Sequence, residues 1–504
     1  MDFSHLPALQ AAIRPQAMAL RSKGLELDYA ATAQRTACVA ALLWQDWGVR
    51  AGDRVAWLGL NHADQVVLLF ALARIGAMLL PLNVRLAPAE WEGQLRDCQP
   101  GHLVHDAEHV LPAELLGART GTEVHAREEF DSDAAGDAPQ FGDAASAVLL
   151  VYTSGTTGKP RAAVHTQFNL LANMRIAARV QQITDHDHVL TVLPLFHVGG
   201  LCIQTLPALF AGASVTLHPR FTADATFDAL AAERPTLTLQ VPATMKALVD
   251  HPRWPGADLS CLRAVWAGSS VLPQVLVRAF LDRVVPLCNV YGSTETGPFS
   301  IALPPAAAHT HIGSCGWPAP EVDAMLSDVE QGAGELLVRG PNVAARYWPD
   351  QRVCDDQGWF HTGDLATRAE DGSYTVVGRS KDLIISGGEN IHPLEIETAL
   401  NTHEAVADCA AFGLQDPQWG EAVAVAVVLR AGASLSAGEL REHLAGRLAR
   451  FKLPGRVVFV DALPRTALGK LQRGELQRLC TRDASQTSTS TGMPITAVAV
   501  KKLT

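Results

Sequence analysis

The sequence has few charged residues, no long uninterrupted hydrophobic run and no closely spaced cysteine pair, and each absence excludes a class of protein. Charged residues are 18% of the 504, and 41 Lys and Arg stand against 52 Asp and Glu, which gives a formal net charge of −11. Duplex nucleic acid and anionic membranes are bound by clustered Lys and Arg. The acidic balance therefore argues against nucleic acid as a partner.

The nine cysteines are odd in number, widely scattered and never spaced as C-x-x-C. This pattern argues against a disulfide framework or a zinc site and for a reducing compartment. The most apolar stretch, residues 66–82, is interrupted by Arg74, Gly76 and Pro81, and it is shorter than the roughly 20 residues of a membrane span. The N-terminal residues also lack the features of a signal peptide. We expect a cytoplasmic protein without stable membrane insertion.

The sequence is nevertheless 48% hydrophobic, which is typical of a folded protein, and its length predicts about three or four structural units. Short apolar runs alternate with helical patterns, which predicts an α/β layered architecture. The predicted strands are residues 147–152, 214–218, 236–241, 263–266 and 286–291, and the clearest predicted helix is residues 223–234.

The sequence changes character near Lys381, where we place the main domain boundary. A strand-like segment, residues 374–377, precedes Gly-Arg-Ser-Lys-Asp, and a helix follows with Pro393 in its first turn. The Ser/Thr-rich residues after Asp483 are typical of a disordered tail. The predicted units are an N-terminal domain of residues 1–380, a C-terminal domain of residues 381–482 and a tail of residues 483–504.

A segment rich in hydroxyls and glycines follows the first predicted strand. It reads Thr153-Ser154-Gly155-Thr156-Thr157-Gly158-Lys159. Small residues let the backbone approach a polyphosphate, while hydroxyls, N–H groups and one ammonium donate to its oxygens. It is not a Walker A loop, because Pro160 stands where that motif needs Ser or Thr. The alternative is an ordinary polar turn between a strand and a helix, which the density of these residues makes the weaker interpretation.

Further motifs follow in order: Leu193-Pro194-Leu195-Phe196-His197, Tyr291-Gly292-Ser293-Thr294-Glu295-Thr296, Trp359-Phe360-His361-Thr362-Gly363-Asp364, Gly378-Arg379-Ser380-Lys381-Asp382 with Ser386-Gly387-Gly388, and Pro464 to Lys470. In this series the chain resembles the adenylate-forming acyl-CoA synthetase superfamily, which also contains luciferases and the adenylation domains of peptide synthetases. The resemblance covers nearly the whole chain except its C-terminal end.

The resemblance implies an acid–CoA ligase that forms an acyl-adenylate from ATP and a monocarboxylic acid, transfers the acyl group to CoA and releases AMP. It implies ATP, Mg²⁺ and coenzyme A as cofactors. It also implies a large N-terminal domain of several subdomains, with layered α/β sheets and a small β-barrel-like part, followed by a smaller mobile α+β C-terminal domain.

The resemblance also implies roles for three residues in catalysis. Lys470 would bridge the substrate carboxylate and the α-phosphate, where an ammonium stabilises accumulating charge. Glu295 would hold Mg²⁺ together with Thr156, and His197 would orient the carboxylate. Their alternatives are a solvated lysine, a surface glutamate and a packed histidine.

For the nucleotide, the resemblance implies that Tyr291 stacks on adenine and that the adjoining motif residues Gly292, Ser293 and Thr294 contact the nucleotide. Its other side would be lined by Gly268, Ser269 and Ser270. Asp364 and Arg379 would bind the ribose hydroxyls; a mutual structural ion pair is the alternative.

For CoA, the resemblance implies a rotation of the C-terminal domain about a hinge at Lys381. Gly387 and Gly388 would then let the pantetheine arm pass, Trp419 would pack on it, and Arg85 would face the nucleotide of CoA. The chain departs from aryl-CoA ligases at residues 453–456, which carry less positive charge.

The expected acyl pocket is lined by His197, Val198, Gly199, Val241, Trp266, Thr296 and Gly297. None of them is an Arg, so a second carboxylate would be buried unpaired, at a cost of several kcal/mol. This favours a monocarboxylate with an apolar tail. An aryl acid and a medium-chain fatty acid both stay open, with a slight preference for aryl acids.

Three other functions compete with an acid–CoA ligase. An enzyme that loads a carrier protein is the nearest, but the segment after Phe196 lacks the Asp that amino-acid-activating relatives place there. A luciferase-like oxygenase shares the motifs. A non-catalytic nucleotide-binding regulator would be expected to lose Lys470 or Glu295.

The pairs His186/His188 and His309/His311 are interpreted as loop histidines rather than metal ligands. A homodimer is left open.

Overall fold

The computed structural model describes residues 2–131, 138–153, 160–268, 272–330, 332–386, 389–416, 420–465 and 471–486. The α-helices in these residues are α1 Leu6–Ile13, α2 Tyr29–Gln45, α3 Ala63–Ile75, α4 Pro88–Cys98, α5 Val110–Thr120, α6 Gln167–Gln181, α7 Val198–Gly200, α8 Leu206–Ala211, α9 Ala223–Ala232, α10 Pro242–Val249, α11 Gln274–Leu281, α12 Pro393–Leu400, α13 Ala437–Ala445 and α14 Arg473–Gln486. The strands are β1 Met18–Ser22, β2 Leu25–Asp28, β3 Arg54–Leu58, β4 Met78–Pro81, β5 His102–His105, β6 Glu123–Ala126, β7 Ala147–Thr153, β8 Arg161–Thr166, β9 His188–Thr191, β10 Ser214–Leu217, β11 Leu237–Gln240, β12 Ala264–Gly268, β13 Leu287–Tyr291, β14 Ile301–Ala302, β15 Trp317–Pro318, β16 Asp323–Glu330, β17 Ala333–Arg339, β18 Arg346–Tyr347, β19 Gln351–Arg352, β20 Phe360–Arg368, β21 Tyr374–Arg379, β22 Ile384–Ser386, β23 Glu389–Ile391, β24 Val406–Asp416, β25 Gly420–Leu429 and β26 Arg456–Phe459.

A nine-stranded sheet has the order β15-β14-β13-β12-β11-β9-β10-β1-β2. Its strands from β13 to β1 run parallel. Most of their residues are buried, because helices cover both faces of a parallel sheet and demand continuous apolar strands. Since β9, β11, β12 and β13 are parallel, their carboxyl ends lie at one edge of the sheet.

An eight-stranded sheet has the order β19-β18-β8-β7-β4-β3-β5-β6. Strands β7 and β8 are antiparallel and pair Thr153 with Arg161, so the hydroxyl-rich segment connects two strands of a hairpin rather than a strand and a helix. The apolar residues 66–82 form the buried part of α3 and then β4, with Gly76 in a left-handed conformation at the helix end. Within the described residues, every helix is too short or too polar to cross a membrane.

Contacts divide the chain into two compact units. The first unit is residues 1–325, 337–362 and 370–374, and it contains the nine- and eight-stranded sheets. The second unit is residues 326–336, 363–369 and 375–504. It contains most of a four-stranded sheet, β16-β17-β20-β21, and the sheet β23-β22-β25-β24 with β26 beside β25. Residues before Lys381 belong to the second unit because β16, β17, β20 and β21 pair with one another. The hinge at Lys381 stays a prediction.

The predicted α/β fold class is confirmed, and the five predicted strands correspond to β7, β10, β11, β12 and β13. The predicted helices at residues 223–234 and at Pro393 correspond to α9 and α12. The apolar residues 193–196 also predict a strand directly before His197, and this prediction is wrong: β9 ends at Thr191, and an irregular loop follows. Pro194 has no N–H to donate to a ladder, so this segment cannot continue a central strand.

The C-terminal helix α14 extends to Gln486 and so includes the first four residues of the predicted tail. Neither proline nor glycine interrupts the chain there, and Ala484 and Gln486 favour a helix. The rest of the predicted tail, residues 487–504, lies outside the described residues.

Candidate active site

The carboxyl ends of the parallel strands bring four predicted site segments to one edge of the nine-stranded sheet. Tyr291 is the last residue of β13, and Gly268 is the last residue of β12. Val241 directly follows β11, and the loop that carries His197 follows β9. Loops at the carboxyl edge of an α/β sheet are the usual position of a ligand site. The fold therefore places residues that are far apart in sequence around one potential site.

Glu295 lies in a short 3₁₀ turn, Thr294–Thr296, directly after β13. Its side chain is buried, with 9% exposure, so the alternative of a surface glutamate does not describe it. The Tyr347 hydroxyl donates to its Oε1 over 2.9 Å. The backbone N–H of Ala344 donates to its carbonyl oxygen over 2.7 Å. Tyr347, on β18 of the eight-stranded sheet, and the nearby Ala344 thus hold a turn that follows β13 of the nine-stranded sheet.

A second contact holds the same turn from β8. Nε2 of His165 lies 2.8 Å from the carbonyl oxygen of Thr294, which assigns the proton to Nε2. The imidazole is fully buried, and its Nδ1 has no hydrogen-bond partner among the described residues. Burial lowers the pKa of His165 from 6.5 to about 4. The imidazole is therefore a neutral donor near pH 7.

The surroundings of Glu295 fit a divalent cation. Within the described part of the chain, neither Lys nor Arg forms an ion pair with this buried carboxylate, and only one of its oxygens is hydrogen-bonded by a side chain. Burial and the negative charge of Glu295 raise the pKa of Tyr347, so its hydroxyl stays protonated as a donor. The other carboxylate oxygen, Oε2, is not among the buried polar atoms that lack a partner, so it is open to solvent or to a bound cation. Mg²⁺ commonly takes one or two protein carboxylates together with phosphate oxygens.

The turn before Glu295 is tightly packed and leaves one polar group unused. A Cβ on Gly292 would lie 1.6 Å from the carbonyl oxygen of Pro298, so no side chain fits there. The N–H of Ser293 donates to Oγ1 of Thr296 over 2.9 Å. The buried Oγ of Ser293 has no hydrogen-bond partner among the described residues. Such a hydroxyl fits a phosphate or sugar oxygen of a nucleotide.

The His197 loop is held by Asn61, which follows β3. Asn61 Nδ2 donates to the carbonyl oxygen of Leu193 over 2.9 Å, and its Oδ1 accepts from the N–H of Leu195 over 2.8 Å. The His197 ring contacts Phe196 edge-on, with the centroids 4.6 Å apart. A Cβ on Gly200 would lie 2.3 Å from the Pro194 carbonyl oxygen. The imidazole is thus carried by a loop with little freedom to move.

The predicted acyl-pocket residues differ in exposure. Trp266 and Thr296 are fully buried, so they are core residues in this structure, and the Trp266 Nε1 has no hydrogen-bond partner among the described residues. Val198 is also buried, whereas Val241 and Gly199 are partly exposed. Among the described residues other than its chain neighbours and helix backbone, no atom lies within 4 Å of a Cβ built on Gly199. Open space therefore lies two residues after His197.

Two predicted ribose ligands lie in the second unit. Nε of Arg379 and Oδ1 of Asp364 form an ion pair at 2.8 Å, the alternative that the sequence left open. Asp364 is buried and Arg379 is partly exposed, so the pair presents the guanidinium outward. Lys381 is exposed in the turn Ser380–Asp382. The ion pair fixes the positions of both side chains. It is compatible with their predicted binding of the two ribose hydroxyls.

Several predicted residues lie outside the described ones and keep the standing of predictions: Ser154, Gly155, Thr156, Thr157, Gly158, Lys159, Ser269, Ser270, Gly387, Gly388, Trp419 and Lys470. Thr153 ends β7, directly before this loop, and Arg85 is exposed on the surface. Of the loop histidines, His186 is 94% exposed. His188 is instead the first residue of β9 and is hydrogen-bonded to Thr216.

Sequence reasoning missed Tyr347, His165, Asn61 and Asn342. Asn342 Nδ2 donates to the carbonyl oxygens of Thr296 and Phe299. None of the four lies in the motifs that pointed to the site, and each acts across a large sequence separation. The one available signal was polarity inside apolar surroundings: His165 stands in the run Ala162-Ala163-Val164-His165.

Comparisons with known proteins give a family match for both main parts of the chain. Residues 8–348 match the family described as AMP-binding enzyme, and residues 395–470 match the AMP-binding enzyme C-terminal domain. The chain is 42% identical over 507 residues to an indoleacetate–CoA ligase of Aromatoleum aromaticum, which covers 96% of this chain and 99% of the relative. It is 39% identical over 482 residues to a feruloyl-CoA synthase of Amycolatopsis sp, with 94% and 98% covered.

A solved structure with the same fold is the o-succinylbenzoate CoA synthetase of Bacillus subtilis in complex with its acyl-adenylate intermediate. The TM-score is 0.86 at 29% identity, and the match covers 94% of this chain and 98% of the other. That synthetase has also been solved with ATP and a magnesium ion.

The buried imidazole of His165 makes stability depend on pH. The unfolded chain binds this proton near pH 6.5 and the folded chain near pH 4, so the unfolded state binds more protons in between. The stabilisation is fully present above pH 6.5 and is lost as the pH falls towards 4. Relative to His165→Gln, the parent should lose about 3 kcal/mol of unfolding free energy over this window. Urea unfolding at successive pH values measures it; parallel curves for the two proteins would contradict the assignment.

Removal of the Tyr347 hydroxyl should weaken the site without unfolding it. In Tyr347→Phe the ring keeps its place under the Arg161 guanidinium, but Glu295 loses its donor. We expect kcat/KM for adenylate formation to fall roughly tenfold, since a hydrogen bond to a charged group contributes about 1.5–3 kcal/mol. The Mg²⁺ concentration for half-maximal rate should rise as well. An unchanged Mg²⁺ dependence, with the thermal midpoint preserved, would show that the hydroxyl does not position Glu295.

Proposed function

Because the chain belongs to the AMP-binding enzyme family and is an AMP-forming acid–CoA ligase, we propose that its substrate is an aryl or arylalkyl monocarboxylic acid. The predicted superfamily, fold class and enzyme class are confirmed. Relatives at 42% and 39% identity over nearly their full length carry CoA-ligase names, which supports the ligase over the carrier-loading enzyme and the regulator.

The observation that supports adenylation at this site is the turn of Glu295, held by Tyr347 and His165 at the carboxyl edge of the sheet. A carboxylate is a poor acyl donor because its leaving group would be oxide. Its attack on the α-phosphate of ATP releases pyrophosphate and gives an acyl-adenylate, from which a thiol then displaces AMP. Mg²⁺, when bound, would neutralise the phosphates, and Glu295 and Thr156 would hold it.

The chain's own residues would do the remaining work of adenylation. Lys470 would place its ammonium between the substrate carboxylate and the α-phosphate, where charge accumulates in the transition state. Tyr291, at the end of β13, would offer a ring face to adenine. The unused hydroxyl of Ser293 and the loop that begins at Thr153 would donate to nucleotide oxygens. The Asp364–Arg379 pair would accept from and donate to the ribose hydroxyls.

The nature of the acid is supported by the space near His197 and by the relatives. The open space at Gly199 would accommodate a ring beside the His197 imidazole, which would orient the carboxylate. The predicted pocket residues carry no cation for a second carboxylate, which disfavours dicarboxylates. The names of two relatives, an indoleacetate–CoA ligase and a feruloyl-CoA synthase, refer to aromatic acids. An aryl acid is therefore favoured over a medium-chain fatty acid.

Thioester formation needs a second arrangement of the same residues, because pyrophosphate and the thiol approach the same acyl group. We propose that the C-terminal domain turns about Lys381 after adenylation. Its Gly387-Gly388 segment would then leave room for pantetheine, with Trp419 packing on the arm and Arg85 facing the nucleotide of CoA.

A panel of acids tests the proposed substrate class. With ATP, Mg²⁺ and CoA, indoleacetate and ferulate should give pyrophosphate and AMP, and never ADP, with kcat/KM at least roughly tenfold above octanoate, because a poorly filled apolar pocket forfeits about 1–3 kcal/mol. Malonate should be inactive. Lys470→Ala is the control, with adenylate formation reduced by about 10² or more. Faster turnover of octanoate, or adenylation by Lys470→Ala at the parent rate, would overturn the assignment.

A bulky side chain at Gly388 should separate the two half-reactions. In Gly388→Leu, pyrophosphate exchange should persist while CoA thioester formation falls, because only the second step needs the passage. Gly438→Leu is a matched control, since Gly438 is exposed on α13 and, among the described residues apart from its chain neighbours and helix backbone, only Oγ of Ser436 lies within 4 Å of its Cβ position, at 3.8 Å. An equal loss of both half-reactions in Gly388→Leu would contradict the proposed rotation.

A further inference from the structure

A cluster of two histidines and a glutamate lies on the edge of the eight-stranded sheet, away from the candidate active site. His102 is on β5, and Glu123 and His125 are on β6. Strand β18, which carries Tyr347, lies near the other end of the strand order, six strand intervals from β6. At about 4.8 Å per interval the separation is roughly 29 Å. The cluster therefore lies apart from the turn of Glu295.

The register of β5 and β6 explains why these side chains meet. The strands are parallel, with His102 opposite Glu123 and Val104 opposite His125. Paired residues, and residues two apart on one strand, share a face of a sheet. The three polar side chains therefore project from the same face, while Leu103 and Val124 pack into the apolar core on the other.

The distances among the three side chains suit a shared cation. His102 Nδ1 lies 3.1 Å from His125 Nε2 and 3.2 Å from Glu123 Oε2. One nitrogen or oxygen atom from each of the three residues lies within 4.8 Å of the others. Ligand atoms about 2.0–2.1 Å from a tetrahedral metal are separated by about 3.3 Å. Small side-chain movements would bring all three atoms to one metal ion.

Neighbouring groups orient the imidazoles towards each other. Nδ1 of His125 lies 3.1 Å from Oε2 of Glu129, whose other oxygen accepts from the N–H of Ala126. A carboxylate that accepts a hydrogen bond from one ring N–H leaves the other ring nitrogen unprotonated and able to bind a metal, as in the second shell of zinc sites. The indole of Trp47 stacks on His125 at 3.6 Å and on His102 at 5.5 Å between centroids. Both rings are thus held before any ion arrives.

We propose that His102, Glu123 and His125 bind a transition-metal cation of the zinc class. Two imidazole nitrogens and one carboxylate oxygen form a ligand set that Zn²⁺ and Co²⁺ accept, and it differs from the oxygen-only ligands that Mg²⁺ prefers. The Glu123 side chain is 72% exposed and the His102 side chain 11%, so solvent reaches the site and can supply a fourth ligand. The ion would join the edge strand β6 to β5. The cysteine pattern argues against a zinc site, but the proposed ligand set contains no cysteine.

Co²⁺ binding to the full-length protein tests this proposal. After treatment with a chelator, the protein is titrated with Co²⁺ alone, and the visible ligand-field bands are followed. We expect one strongly bound Co²⁺ per chain with the intensity of a four-coordinate site, displaced by one equivalent of Zn²⁺. The dissociation constant should rise at least 100-fold in His125→Gln and about tenfold in Glu129→Gln, which removes only the orienting carboxylate.

Two further variants keep the test decisive. Glu123→Gln changes an exposed side chain, so it should fold normally and still weaken Co²⁺ binding at least tenfold. His186→Gln removes a histidine that is 94% exposed and lies elsewhere, and it should bind Co²⁺ like the parent. Absence of Co²⁺ bands in the parent would overturn the proposal. So would equal affinity in the parent, His125→Gln and Glu123→Gln, which would mean that the cluster is a hydrogen-bonded network only.

Discussion

The candidate active site depends on the attachment of one short turn to two different sheets. Glu295 follows the last parallel strand of the nine-stranded sheet, but the Tyr347 hydroxyl and the His165 imidazole that hold its turn belong to the eight-stranded sheet. A buried carboxylate without a cation is unfavourable by several kcal/mol unless hydrogen bonds and a ligand compensate it. The two sheets therefore position the Glu295 carboxylate, whose negative charge a bound magnesium–nucleotide complex would neutralise.

The loops around this turn are likewise held by hydrogen bonds from residues distant in sequence. The parallel strands β9, β11, β12 and β13 end at one edge, and the fold uses buried amides to hold the loops that follow them. Asn61 fixes the backbone before His197, and Asn342 fixes the backbone after Glu295. Because both amides are buried and bonded to backbone atoms, the loops are positioned before substrate binds, and less conformational entropy is lost on binding.

The histidines show that residues close in sequence can lie in different surroundings, and that residues far apart in sequence can be in contact. His186 and His188 are close in sequence, yet one is solvated and the other is a strand residue bonded to Thr216. His102 and His125 are far apart in sequence, yet their rings meet because β5 and β6 are parallel neighbours. Spacing along the chain identifies ligands only within one element, and parallel strands bring ligands together without any local signature.

The sequence by itself determined the α/β class, several of the strands and the family, because apolar periodicity and short motifs such as Tyr291 to Thr296 are local. Through the family resemblance it also predicts roles for Glu295, Lys470 and the hydroxyl-rich loop. Only the tertiary structure decided that Glu295 is buried, that Tyr347 and His165 hold its turn, and that Asp364 pairs with Arg379. The reason is physical: burial, hydrogen bonding and pKa depend on distances between residues that the order of strands in a sheet sets, and no local pattern encodes that order.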